Sequence, residues 1–283
     1  MKVASIEWQK SEWEKISKRE ILIQKIEEYL EKAVEVQADV VVFPGFTGCF
    51  YQQISQLKSG LQELKKEIDS GEYIEQIRNL SMKYEIILCP GSYWEKDGQR
   101  IYHTSIIILN GKILLKQRQI YLARWERNLG LSRGVVINLE QIKGWKVGIV
   151  MSTDVFYPQV SRMLALMGAD LVLSPVGFIG ERNQALQISG MWQNVQQNSF
   201  FAVESGFNGF LGGMDFWGES MVHAPLAMTE AEDGWLARSK GQQDLVAAEL
   251  DNDLRSEAIS RFDVLSQLNP EFYRRMKIFG GRS

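Results

Sequence analysis

The chain has 283 residues, 45% of them hydrophobic, which supplies a large core and excludes a disordered chain. Its 32 Lys+Arg against 35 Asp+Glu leave a formal charge of -3, which argues against a polyanion-binding surface and so against a nucleic-acid partner. Two cysteines, Cys49 and Cys89, and two histidines, His103 and His223, are too few for a clustered zinc site or a disulfide framework. The first twenty residues carry Glu7, Glu12, Glu14, Lys15 and Lys18 with no apolar stretch of signal-peptide length. No later run approaches the ~18 apolar residues of a membrane span. The expectation is a cytoplasmic protein with reduced thiols, no bound metal and no membrane contact.

Residues 3–6 open the chain as a strand. Across 19–36 the apolar residues Ile21, Ile23, Ile26, Tyr29, Leu30 and Ala33 recur near the 3.6 period of an amphipathic helix. Residues 38–43, Ala-Asp-Val-Val-Val-Phe, are apolar on both faces like a strand buried between layers, and Pro44-Gly45 ends it. Helical spacing predicts helices over 57–68 and 73–84, and residues 85–90 and 101–109 read as strands. Asn110-Gly111 suits a type I′ turn, because both central residues need positive φ, and so joins 105–109 to 112–115 as a hairpin. A strand over 146–151 and a helix over 159–167 follow.

Residues 169–175 repeat the theme of 38–44, a helix feeding a short buried strand that stops at proline. Two such units suggest one α/β sandwich. A helix over 184–198 and strands over 200–204 and 245–250 complete the pattern, and with no Ser/Pro-rich linker the expectation is a single domain over 1–283.

Several blocks carry a family resemblance. They are Val40-Val41-Val42-Phe43-Pro44, the stretch from Gly111-Lys112-Ile113 to Leu122, Val147-Gly148-Ile149-Val150-Met151, Asp154 with Pro158, Gly168-Ala169-Asp170-Leu171, Asn198, and Gly218-Glu219-Ser220 with Pro225. In order and spacing they resemble the nitrilase superfamily, the carbon-nitrogen hydrolases, from the first strand to about Tyr273. The resemblance implies a four-layer α-β-β-α sandwich, usually a homodimer, that hydrolyses or condenses nonpeptide C–N bonds without metal or cofactor. It also implies a glutamate as general base, a lysine at the oxyanion and a cysteine nucleophile.

This sequence departs from the family at all three positions. Gly45 follows Phe43-Pro44 where the resemblance places the glutamate, Gln119 stands for the lysine, and Ser152 stands for the cysteine. Losing a general base costs roughly 10²–10⁴ in rate and one oxyanion donor about 10²–10³. An unactivated hydroxyl is also a poor nucleophile. Replacing both charged groups by neutral ones avoids a buried unpaired charge, which favours a settled noncatalytic pocket; an apolar neutral pocket enlarged by the missing glutamate is one reading of it, beside core packing as the default. Neighbours differ too, with Gln117 for tyrosine, Tyr121 for histidine and Gln197 for the glutamate before Asn198.

The leading expectation is a noncatalytic nitrilase-like protein that binds a small amide or carboxylate-like ligand or interacts with another protein. The alternatives are a Ser152-based amidase or esterase, with Gln119 at the oxyanion and Glu126 or Asp154 as base, and a structural subunit beside an active relative. Glu126 resembles a further pocket glutamate of the family, and reads equally as half of a surface ion pair. Thr153 and Asp154, which follow Ser152, are candidate pocket residues as well. Cys49 is either a pocket thiol or a small buried hydrophobe. His103 and His223 read as structural hydrogen-bonders. Trp192, Phe178, Tyr157 and Trp217 either border the pocket or fill the core.

Overall fold

The computed structural model describes residues 1–54, 71–241, 244–261 and 263–275. Two sheets lie face to face. The first runs in the order Leu245–Glu249, Lys2–Ile6, Val40–Val42, Ile87–Cys89, Arg100–Leu109 and Ser92–Asp97, with Lys112–Arg118 also paired to Arg100–Leu109. The second runs Trp235–Arg238, Met221–His223, Phe201–Gly206, Leu171–Val176, Trp145–Ile149 and Leu139–Ile142. A small third sheet joins Phe178–Ile179, Met214–Trp217 and Gly209–Leu211.

Strand alternation explains the four layers. Val40 and Val42 point into the space between the sheets, where they share a core with Ile149, Leu171, Leu173 and Phe201. Val41 points the other way, into a core with Leu22, Ile26, Tyr29 and Leu30 of helix Arg19–Glu35 and with Tyr73 and Ile77 of helix Gly71–Tyr84. On the far side Val172 and Ala202 meet Val160 and Leu164 of helix Pro158–Leu166 and Val195 of helix Gln193–Asn198. The chain therefore builds the α-β-β-α sandwich, and its central strands are apolar throughout because both their faces are covered.

The hairpin forms as expected, with Asn110 at φ 49°, Gly111 at φ 72° and Leu109 paired to Lys112. Two expectations need correction. Pro175 does not stop its strand, which continues to Val176. The neighbour on one side, Trp145–Ile149, makes its last pair at Ile149↔Leu173, so the missing proline N–H has no ladder position to fill there. The helix over 184–198 is broken: Gln184–Gln187 and Gln193–Asn198 flank a wider turn in which Gly190 leaves helical geometry at φ −92° and ψ −113°. A Cβ at Gly190 would sit 3.0 Å from Val155, and Asn194 fixes the bend by donating to the Val155 and Gly190 carbonyls at 2.6 and 3.0 Å. The helix expected over 57–68 lies outside the described residues. Among the described residues, no helix is long and apolar enough to cross a membrane.

Candidate functional site

Gly45 follows the Val40–Val42 strand, and its amide donates to the Val176 carbonyl at 3.2 Å. A Cβ built on it would lie 2.6 Å from the Val176 carbonyl carbon, 2.7 Å from its oxygen and 2.9 Å from its nitrogen. Backbone meets backbone here, so only glycine fits. The reading of an enlarged pocket is therefore wrong: the space that a longer side chain would need is filled by the Leu171–Val176 strand.

The next residue, Phe46, sits in the left-handed region at φ 62° and donates its amide to Ser92 Oγ at 2.8 Å. Its ring stacks on the imidazole of His103, with centroids 4.7 Å apart, and also packs on Phe216. His103 is fully buried in the Arg100–Leu109 strand. Its Nε2 bonds Ser92 Oγ at 2.6 Å, and its Nδ1 faces Gln119 Oε1 at 2.5 Å and Glu126 Oε1 at 2.8 Å. Two oxygens around one ring nitrogen require that nitrogen to carry the hydrogen.

Gln119 turns its amide nitrogen toward Glu126 Oε2 at 3.0 Å, the Tyr121 carbonyl at 3.0 Å and Thr153 Oγ1 at 2.8 Å. Thr153 in turn donates to the Tyr121 carbonyl. Glu126, near the start of the short helix Arg124–Asn128, also accepts the Ala123 amide at 2.7 Å. With Gln119 and Glu126 both at 0% exposure, the surface ion-pair reading of Glu126 is corrected. The reading of a neutral pocket falls with it, because a carboxyl group remains at the centre. His103, Gln119 and Ala123 each donate to it, which offsets its lost hydration.

Ser152 begins the 3-10 turn Ser152–Phe156, is 2% exposed, and holds a left-handed φ of 50° that strains a side chain other than glycine. Among the described residues its hydroxyl makes no hydrogen bond. Asp154, the carboxylate closest in sequence, is buried and accepts the amides of Ile120 at 3.0 Å and Tyr121 at 2.7 Å. Its oxygens hold the Gln119 segment against the turn. The structure thus links the three positions through their neighbours: Phe46 stacks on His103, His103 bonds Gln119, and Gln119 bonds Thr153 beside Ser152.

Burial pushes the Asp154 carboxyl up to about 7, with the Glu126 charge adding to the effect. A carboxyl raised in the folded state stabilises the fold fully below its unfolded value near 3.8, and that stability is lost as pH rises through about 7. The wild type should therefore lose about 4 kcal/mol relative to Asp154→Asn between pH 4 and pH 7.5. Urea melts of the two proteins across that range check the difference; parallel pH profiles contradict it.

The remaining candidates have partners away from Ser152, and of them Tyr157 is on the surface. Cys49, in helix Thr47–Gln53, is fully buried, and burial and the Glu126 charge push its thiol well above the usual range. A thiol held protonated in the core is a poor nucleophile. His223 pairs with buried Glu204 at 2.8 Å in the second sheet. Tyr157 stacks on Tyr121 at 3.8 Å, Phe178 packs on Trp217 at 5.2 Å, and Trp192 donates to the Asp233 carbonyl. Phe46 and Ser92 went unnoticed in the sequence although both belong to the network. The available signal was a repeat: Phe43-Pro44-Gly45-Phe46 and Cys89-Pro90-Gly91-Ser92 end adjacent parallel strands with the same Pro-Gly pair. A Cβ on Gly91 would lie 2.2 Å from the Pro44 carbonyl oxygen, so the two turns pack directly on each other.

Comparison with known proteins places this geometry among relatives. The sequence profile described as carbon-nitrogen hydrolase matches residues 2–258. A nitrilase of Pyrococcus abyssi is 23% identical over 254 residues, which are 89% of this chain and 92% of that protein. The probable hydrolase YhcX of Bacillus subtilis is 24% identical over 243 residues, 83% of this chain; the chain spans about half of that relative's length, 47%. Among solved structures, an alanine-for-cysteine variant of the Nesterenkonia AN1 amidase superposes with a TM-score of 0.76 at 19% identity, covering 97% of this chain and 96% of that one.

Proposed function

Since the chain belongs to the carbon-nitrogen hydrolase family, we propose that it is a member without hydrolytic turnover, acting by binding a small amide- or carboxylate-like ligand or a protein partner. One observation carries this reading: among the described residues neither nearby carboxyl group is hydrogen-bonded to the Ser152 hydroxyl. Asp154 is engaged by the Ile120 and Tyr121 amides, and Glu126 by His103, Gln119 and Ala123. A serine becomes a nucleophile when a base stands within hydrogen-bond reach to take its proton. At the oxyanion position, Gln119 directs its N–H groups at Glu126, Tyr121 and Thr153, so they are not available to a developing negative charge.

We further propose that it works as a homodimer. Met163 and Leu166 of helix Pro158–Leu166, with Tyr157 and Met167 at its ends, are exposed apolar side chains on one outer helix, a surface suited to a second copy.

The second reading, a Ser152 hydrolase, is favoured by the left-handed backbone of Ser152, since strained conformations collect at reactive residues. Intact-protein mass spectrometry after treatment with a small alkyl fluorophosphonate separates the two. We expect no mass increase that depends on Ser152. An adduct present in the wild type and missing from Ser152→Ala would establish an activated serine and overturn the reading.

A further inference from the structure

The cavity of greatest interest lies outside the degenerate catalytic positions. It encloses about 390 Å³, within the roughly 300–1,000 Å³ of small-molecule sites. Arg100 and Tyr102 from one strand, Lys116 and Arg118 from its hairpin partner, and Arg133 and Val135 from the crossing loop form its walls. The loop is held in place by the Tyr102↔Ser132 bridge and by the Gly134 amide, which donates to the Gln119 carbonyl at 2.7 Å.

Its charge is not a consequence of composition, since the whole chain carries -3. Four cationic side chains converge on one concave surface. Lys116 bonds Glu95 at 2.7 Å, and Arg118 bonds Glu95 at 2.9 Å and Asp97 at 2.7 Å, so two cations are matched by two carboxylates. Among the described residues no carboxylate lies within ion-pairing distance of Arg100 or Arg133; Asp97 acts on Arg100 from farther away and is already engaged by Arg118. Arg100 is hydrogen-bonded to the Tyr102 side chain, so it and Arg133 stand beside the cavity without a carboxylate to match their charge. Arg118 lies over the Tyr102 ring at 3.8 Å, which fixes that wall before any ligand arrives. Val135 stands at the rim 90% exposed, an apolar side chain with nothing among the described residues covering it.

We propose that this cavity binds a small organic dianion, a phosphate monoester or a dicarboxylate, with Arg100 and Arg133 as its charge partners and Val135 against its organic part. Guanidinium groups suit this role because their paired N–H donors match the oxygens of phosphate and carboxylate. A concave wall of one sign also concentrates such an anion. The site is independent of Ser152 chemistry and stands whether or not that residue turns over substrate.

Isothermal titration calorimetry on the full chain tests it, with phenyl phosphate and phthalate as dianions and benzamide as a neutral probe. At least one dianion should bind saturably, weaken as salt rises, and outbind benzamide. Its affinity should fall about tenfold or more in Arg100→Gln/Arg133→Gln. Val135→Asp, at an exposed position that cannot disturb the core, should weaken it in the same direction, and Lys10→Gln, outside the cavity, should not. Binding of phenyl phosphate alone assigns the phosphate monoester, and comparable phthalate binding assigns oxyanions more broadly. Absence of saturable dianion binding, unchanged affinity in the double variant, or equally tight benzamide would each overturn the proposal.

Discussion

Introducing together the residues that the resemblance implies, as Gly45→Glu, Gln119→Lys and Ser152→Cys, should produce an unstable protein with no amidase or nitrilase activity. The obstacle is at position 45. Any side chain there must start from a Cβ within 2.9 Å of three backbone atoms of Val176, which belong to a central strand of the facing sheet and cannot swing aside. Gly45→Ala alone should cost about 3 kcal/mol, at the upper end of ordinary overpacking, because the colliding atoms are backbone. Gln119→Lys is the mildest of the three, since an ammonium could still meet Glu126 while giving up the acceptor that faces His103 Nδ1. Thermal melting of each single variant checks this ordering. A triple variant that melts like the wild type and turns over amides would mean that the catalytic arrangement lies within three substitutions of this chain.

Glu126→Ala should lower stability by roughly 3–5 kcal/mol, as when one partner of a buried charged cluster is removed. It strips an acceptor from His103 Nδ1, Gln119 Nε2 and the Ala123 amide at once, in a place no water shell replaces. Glu126→Gln keeps the volume but must turn an NH₂ group toward donors on one side or the other, so it should fall between alanine and wild type. Glu27→Ala, which removes the partner of exposed Lys83 and one of the two carboxylates facing the Tyr84 hydroxyl, should change stability by about 0–1 kcal/mol. Denaturant titration of the three variants gives the comparison, and a Glu126→Ala protein as stable as Glu27→Ala contradicts the network's importance.

Much of the sandwich was legible because its signals are local. The β-branched run at Val40–Val42, the periodic helix Arg19–Glu35 and the Asn110-Gly111 turn each carry their own pattern. Strands Met214–Trp217 and Met221–His223 were not legible, being only four and three residues long, with Gly218-Glu219-Ser220 between them and Asp215 within the first. Pro175 misled because a proline reads as a stop unless the neighbouring strand is known to have ended.

The three positions that the resemblance matches to catalytic residues, 45, 119 and 152, could be located from the motifs, but not what surrounds them. Glycine at 45 looks in sequence like a deletion of chemistry, whereas in space it is a point of backbone contact with Val176. Glu126 looked half like a surface residue because Arg124 and Arg127 beside it are exposed. Its burial follows from a one-turn helix that points it at His103, a residue 23 positions away. Hydrogen-bond partners of that separation leave no trace in periodicity.

The central claim is the absence of hydrolysis, and the most direct measurement is product release from a panel of ω-amides, nitriles, carbamoyl amines and esters by purified wild type and Ser152→Ala side by side. Equal release from the two proteins, at the level of the uncatalysed reaction, is the predicted result. Release by the wild type that vanishes in Ser152→Ala would contradict it and assign this chain to the active hydrolases.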